Sequence, residues 1–351
     1  MPAPPPPMRL VGATVLRDGG LRQRTVAIEG GRISGGPFPA VDLSGFLVLP
    51  GLVDLDTARL DCSPGEEASA LSNAEDTASA NGVTTGWVMV PWGGDPGDPA
   101  RAEAALRALE AGRARRRIDL RTGLRFDVSA VATAERLVGM VRRFGIGRVV
   151  FEGWSDCPPS LASEVPRVLC RMAEALDVLG CTYGSAGDRD GETREFHAML
   201  GARLCERPVS ARAAAIARAV GDPVVAPAPA LEGGTVEDGA VSAAQLIRLG
   251  CCDALSSSGD PARLAPAALA LAEQGLGLPA AWRLVSETPA ELLRLPGRGR
   301  IVCGQRADLC VLSRRTGRIE ATLFAGRLIF ATGEAACRFS AAATTPALAA
   351  E

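Results

Sequence analysis

The chain has 351 residues, 38 basic and 40 acidic side chains, one histidine and a net charge of −2, with 47% hydrophobic and 22% charged residues. That length can bury a sizeable core, and the composition is that of a globular chain, not a disordered one. The near-neutral balance excludes a whole-chain basic field for nucleic acid, and no apolar run reaches the roughly 18 residues of a membrane span.

All 38 basic residues are arginine. This excludes a lysine Schiff base, a P-loop lysine and a carbamylated-lysine metal bridge. The sole histidine, His197, excludes a two-histidine zinc site. The ten cysteines form no C-x-x-C pair, and MPAPPPPMRL lacks the charged and apolar segments of a secretory signal. Reduced, mostly buried thiols and a cytoplasmic location are therefore expected.

In chain order, residues 1–8 read as a disordered proline-rich tail. Residues 9–48 alternate apolar and polar side chains between Gly-rich turns, as short strands do. Leu52–Leu55 is a candidate buried parallel strand. From about residue 66, helical and strand patterns alternate. Helices are expected over 66–82, 98–116, 132–145, 165–180, 194–202, 210–221, 242–250, 261–275 and 278–295. Strands are expected over 83–91, 118–128, 148–153, 181–186, 222–230 and 252–259. Asp98-Pro99 is a helix-start signal. Residues 298–335 return to strand patterns, and 336–351 read as a flexible tail. The period of this alternation predicts an α/β fold, a TIM-like (β/α)8 barrel over 49–297. A small β-sandwich is expected from both chain ends, 9–48 and 298–335, because neither end can bury its own face.

Four segments in this order, FLVLPGLVDLD, ANGVTT, SETPAELLRL and GRIVCGQRADLCVL, resemble the amidohydrolase superfamily and frame nearly the whole chain. Within it, GLVDLDTARLD, GLRFDVS, APAPALEGGTVEDGAVSA and CDALSSSGDPARL resemble the phosphonate-metabolism diphosphatase branch. The resemblance implies hydrolysis of a sugar triphosphate phosphonate at one or two divalent metals, held at the C-terminal ends of the barrel strands. It places the family's ligand positions on Asp56, Ala58, Gly123, Glu237 and Ser258, with Asp188 near a sixth. Asp54, Arg125 and Asp127 keep polar side chains in register.

Ligand-type side chains are therefore mostly replaced, and a metal-free protein without a cofactor, inactive by the family mechanism, is the leading expectation. Such a pseudoenzyme would bind an anionic small molecule through arginines, self-associate as a homo-oligomer, or pack against a catalytic paralogue. Two alternatives stay open. Asp54, Asp56, Asp127, Asp188 and Glu237 could form a carboxylate-only site for Mg or Mn, acting on a sugar phosphate or phosphonate. Or arginines such as Arg59 and Arg125 could neutralise those acids in a salt-bridged plug. Arg113, Arg115, Arg116 and Arg117 read as a solvated helix end, His197 as a helix-surface or packing residue, and Trp87, Trp92 and Trp154 as core or pocket wall.

Overall fold

The computed structural model describes residues 5–60, 63, 65–94, 98–229 and 240–344. Seven short strands lead the chain: Met8–Val11 (β1), Thr14–Arg17 (β2), Gly20–Gln23 (β3), Val26–Glu29 (β4), Arg32–Ser34 (β5), Ala40–Asp42 (β6) and Phe46–Pro50 (β7). The next eight are Leu52–Arg59 (β8), Val83–Trp92 (β9), Asp119–Asp127 (β10), Arg148–Glu152 (β11), Thr182–Ala186 (β12), Leu204–Glu206 (β13), Val224–Pro227 (β14) and Ala254–Ser256 (β15). Three more, Leu309–Ser313 (β16), Ile319–Phe324 (β17) and Arg327–Ala331 (β18), close the strand order.

Strands β8 to β15 pair parallel in strict sequence order, with helices in most of the connections, which is a nearly closed TIM-like barrel. Local chemistry starts these helices. Asp98 accepts the Ala100 N–H with Pro99 in the first turn, Asp190 caps Thr193, Ser210 caps Ala213, and Ser242 with Gln245 forms a capping box. Among the described residues no backbone ladder joins β15 to β8. Side chains and loop amides close that seam instead. Asp54 Oδ1 accepts the Ser257 N–H at 3.0 Å, while the Asp56 carbonyl accepts Ser257 Oγ at 2.8 Å and the Gly259 N–H at 2.7 Å.

Both chain ends meet in one mixed sheet of order β18-β17-β16-β7-β2-β3, where β16 lies antiparallel to β7. A second sheet, β5-β4-β1-β6, packs on it through Leu10, Ile28, Val48, Val311 and Leu323. Residues 333–344 form a helix that buries Ala335 and Phe339 in this core. The flexible tail expected from residue 336 is thereby corrected as far as 344, because Phe339 has an apolar core to join. Residues 345–351 and 1–4 lie outside the described residues.

Two further differences have local causes. Strand β13 was not expected from RLCERPV; it is three residues long and ends in a charged residue, Glu206, that is neutralised inside the barrel. The helix expected over 278–295 is two helices, Leu278–Arg283 and Glu287–Leu292, broken at Ser286, whose φ of −136° lies well outside the helical range.

Candidate functional site: an arginine-bridged barrel mouth

The C-terminal ends of the barrel strands supply the charged floor. A register shift between Asp54 and Ala58 disturbs the β8–β9 pairing, and both Asp54 and Asp56 are buried at this point. Asp56 Oδ2 meets Arg125 Nη2, from β10, at 2.7 Å, and Arg59 Nη2 at 3.5 Å. Arg125 Nη1 meets Glu152 Oε2, at the end of β11, at 2.7 Å. The same oxygen accepts Arg207 Nη2, from just past β13, at 3.2 Å. One layer deeper, Arg148 donates to Glu206 and to the Leu55 carbonyl.

The charge balance at the floor follows directly. Arg59, Arg125 and Arg207 face Asp56 and Glu152, three guanidiniums against two carboxylates. Burial pulls the Arg125 pKa down, but Asp56 and Glu152 more than offset it and hold it above the ordinary arginine value. Arg207 is lowered, by burial first and by repulsion from Arg125 second. Burial raises the Asp54 carboxyl, and the Ser257 hydrogen bonds only partly offset that.

Several polar atoms here are buried with no hydrogen-bond partner among the described residues: Asp56 Oδ1, Arg125 Nε, Arg207 Nε and Ser258 Oγ. Such atoms carry a desolvation cost unless something pairs with them. Arg207 and Ser258 also hold left-handed backbones, φ 49° and 56°, a strain that clusters at binding sites. Above the floor opens a cavity of about 560 Å³, walled by Asp127, Glu152, Trp154, Arg207, Ser258 and Arg263 among others. That volume holds a small molecule.

The expected site residues divide into groups. Asp54, Asp56 and Arg125 converge at the floor, Ser258 and Asp127 line the cavity, and Ala58 sits half-buried in β8. Asp127 accepts the Ser129 N–H at 2.8 Å and its hydroxyl at 2.6 Å, capping a short turn. Asp188 belongs to a different cluster. It accepts Ser185 Oγ at 2.6 Å, lies 2.9 Å from His197 Nδ1 and 3.3 Å from Arg194 Nη1. Its carboxyl is held below the usual range, the bonds from His197, Ser185 and Arg194 outweighing burial. His197 is therefore a buried packing residue, edge-on to Trp154. Glu237 lies outside the described residues. Of the tryptophans only Trp154 lines the mouth; Trp92 is core, bonded to Thr133, and Trp87 lies toward the other end. Glu152, Arg207, Arg148 and Glu206 were not singled out from the sequence. Their one signal is that they stand at or beside strand ends.

Comparison with known proteins agrees with this architecture. The chain is 28% identical over 334 residues to the alpha-D-ribose 1-methylphosphonate 5-triphosphate diphosphatase of Escherichia coli (strain K12), covering 80% of this chain and 87% of that protein. No family profile matches. Among solved structures, N-acetylglucosamine-6-phosphate deacetylase from Pasteurella multocida superposes with a TM-score of 0.67 at 12% identity, over 92% of this chain and 100% of the other. Dihydropyrimidinase from Brevibacillus agri NCHU1002 gives 0.69 at 14% identity, over 93% and 95%. The chain is an amidohydrolase-fold protein. It is distantly related to the diphosphatase.

In this amidohydrolase fold, the position of the expected family histidine in β10 is Gly123. A Cβ built there would lie 2.6 Å from Met89 Sδ and 2.9 Å from Met89 Cε. The thioether of the neighbouring strand occupies the space a side chain would need. Among the described residues no helix is long and apolar enough to cross a membrane.

Proposed function

We propose that this chain binds an anionic small molecule at the barrel mouth and does not hydrolyse it by a metal-dependent route. The observation that carries the reading is Arg125, whose guanidinium bridges Asp56 and Glu152 at 2.7 Å each. The residues at the mouth do not fit the divalent cations that the fold implies. Asp56 already faces two guanidiniums, and burial favours the neutral form of Asp54. Ala58 and Gly123 offer no side-chain donor. No group of three His, Cys, Asp or Glu side chains among the described residues is placed to hold an ion.

The same arrangement suits an anion. The floor carries one more positive charge than negative, and Arg207 Nε and Ser258 Oγ are unpaired at its edge. A phosphate or phosphonate oxygen accepts from both guanidinium and hydroxyl donors. The distant relative is named for a sugar bearing phosphonate and triphosphate groups, which makes a phosphorylated sugar the first ligand to test.

D-ribose 5-phosphate titrated into the protein by calorimetry should bind, while D-ribose should not. Arg207→Met should weaken the phosphate ester by about tenfold or more, since a charge-assisted contact is worth roughly 1.5–3 kcal/mol. Equal affinity for ribose and its phosphate, or an unchanged Arg207→Met, contradicts the reading.

A further inference from the structure

The opposite end of the barrel holds a second cavity, also about 560 Å³. Its walls come from the starts of β10, β11 and β12, the end of the helix Pro99–Gly112, and Phe324 of β17. It shares no lining residue with the mouth cavity.

Two features read from the sequence meet there without a structural role that accounts for both: Trp87 and the arginine run from Arg113. The run divides. Arg117 pairs with Glu75 and Asp76 on the neighbouring helix, so it belongs to the surface. Arg116 turns inward, and its Nη atoms donate only to the Leu109 and Leu120 carbonyls, with no carboxylate in an ion pair among the described residues. Burial lowers its pKa, and the more distant charges of Glu75, Glu110 and Asp119 only partly offset that, so the cation is held there against a desolvation cost. Arg148 also lines this cavity; it is 1% exposed, and its Nε has no partner.

The charge count gives the sign of the ligand. Four arginines line the cavity, Arg113, Arg116, Arg121 and Arg148, against two acids, Glu110 and Asp119. Outside the lining, Glu206 pairs with Arg148 and Arg298 pairs with Asp119 at 2.5 Å, so five arginines face three acids and positive charge is in excess. Between the cations stand flat apolar groups. Trp87, Phe144 and Phe324 are in the wall, and the Arg121 guanidinium lies 5.4 Å from the Trp87 ring centroid. Guanidiniums alternating with aromatic rings offer a stacking surface and a counter-charge together.

We infer that this cavity is a second binding site, for a planar aromatic molecule bearing a carboxylate or phosphate. The ring packs against the aromatic wall, and the anion lies toward Arg113 and Arg116.

Calorimetric titration of the full chain with indole-3-acetate and with phenyl phosphate, each run with D-ribose 5-phosphate in excess to occupy the mouth, tests this. Both should bind at one site per chain, and indole-3-acetamide, the neutral analogue, at least about tenfold more weakly. Arg113 is 74% exposed, so Arg113→Glu leaves folding intact and should weaken both anions about tenfold or more. Arg207→Met, which acts at the mouth, should leave both affinities at the parent value. Absence of binding by both anions, equal affinity for the amide, an unchanged Arg113→Glu, or loss on Arg207→Met each overturns the assignment.

Discussion

Replacing Arg125 with methionine removes the guanidinium while keeping much of its aliphatic volume, and the structure sets what this should cost. Two hydrogen-bonded ion pairs at 2.7 Å are lost. Glu152 keeps Arg207 at 3.2 Å and is 28% exposed, so it can be re-solvated. Asp56 is 2% exposed and keeps only Arg59 at 3.5 Å, so its charge is left nearly unpaired in a buried place. Stripping one partner from a buried pair costs about 3–5 kcal/mol, and the remaining Arg59 moves the expectation toward the lower end, about 3–4 kcal/mol. Urea unfolding followed by tryptophan fluorescence reads this out. Adding Asp56→Leu to Arg125→Met should restore about 2 kcal/mol, because the orphaned charge is then gone too. A cost under about 1 kcal/mol for Arg125→Met, or strict additivity in the double variant, would refute the idea that this pair organises the floor.

Other outcomes follow from the same contacts. Gly123→His should destabilise by about 1–3 kcal/mol because Met89 occupies the space, and pairing it with Met89→Ala should recover part of that; an unpenalised single variant contradicts the packing. Asp54 has a folded-state pKa raised above its unfolded value of about 3.9, so its contribution is fully present below that pH and is lost as pH rises through the folded value. Asp54→Asn keeps an acceptor for the Ser257 and Asp56 amides and should lack that loss, so melting temperatures compared from pH 4 to 8 should favour the variant increasingly with pH; parallel curves contradict it. His197→Ala should cost about 2 kcal/mol or more in urea unfolding, as a buried side chain bonded to Asp188 and packed on Trp154 must. A helix-surface histidine would cost under about 0.5 kcal/mol.

What the sequence discloses and what it conceals have physical reasons. The barrel is legible because long strands such as Val83–Trp92 and amphipathic helices such as Ala134–Phe144 repeat their periods clearly. Strand β13 is hidden because three residues show no period, and Glu206 looks like a surface residue until Arg148 is placed beside it. Arg59 and Arg125 could be suspected as partners of the mouth acids, since they flank Asp56 and Asp127 in the chain. Glu152 and Arg207 could not, because their meeting depends on two loops at the ends of β11 and β13. Asp188 is the instructive miss. Counted among the mouth acids by its place after a strand, it turns into the His197–Arg194 cluster because three donors wait there. The closure of the barrel by the Asp54 side chain has no sequence signal at all, since its partners lie some 200 positions away.

The central claim is that guanidinium charge stands at the mouth where the fold would otherwise call for a divalent cation. Elemental analysis of protein purified without chelator, run beside a diphosphate-release assay on ribose triphosphate with magnesium or manganese added, tests it most directly. The account predicts zinc, manganese, iron and nickel well below one ion per chain, and no release above the protein-free rate. One or two bound ions per chain, with metal-dependent release that Asp56→Asn abolishes, would contradict it.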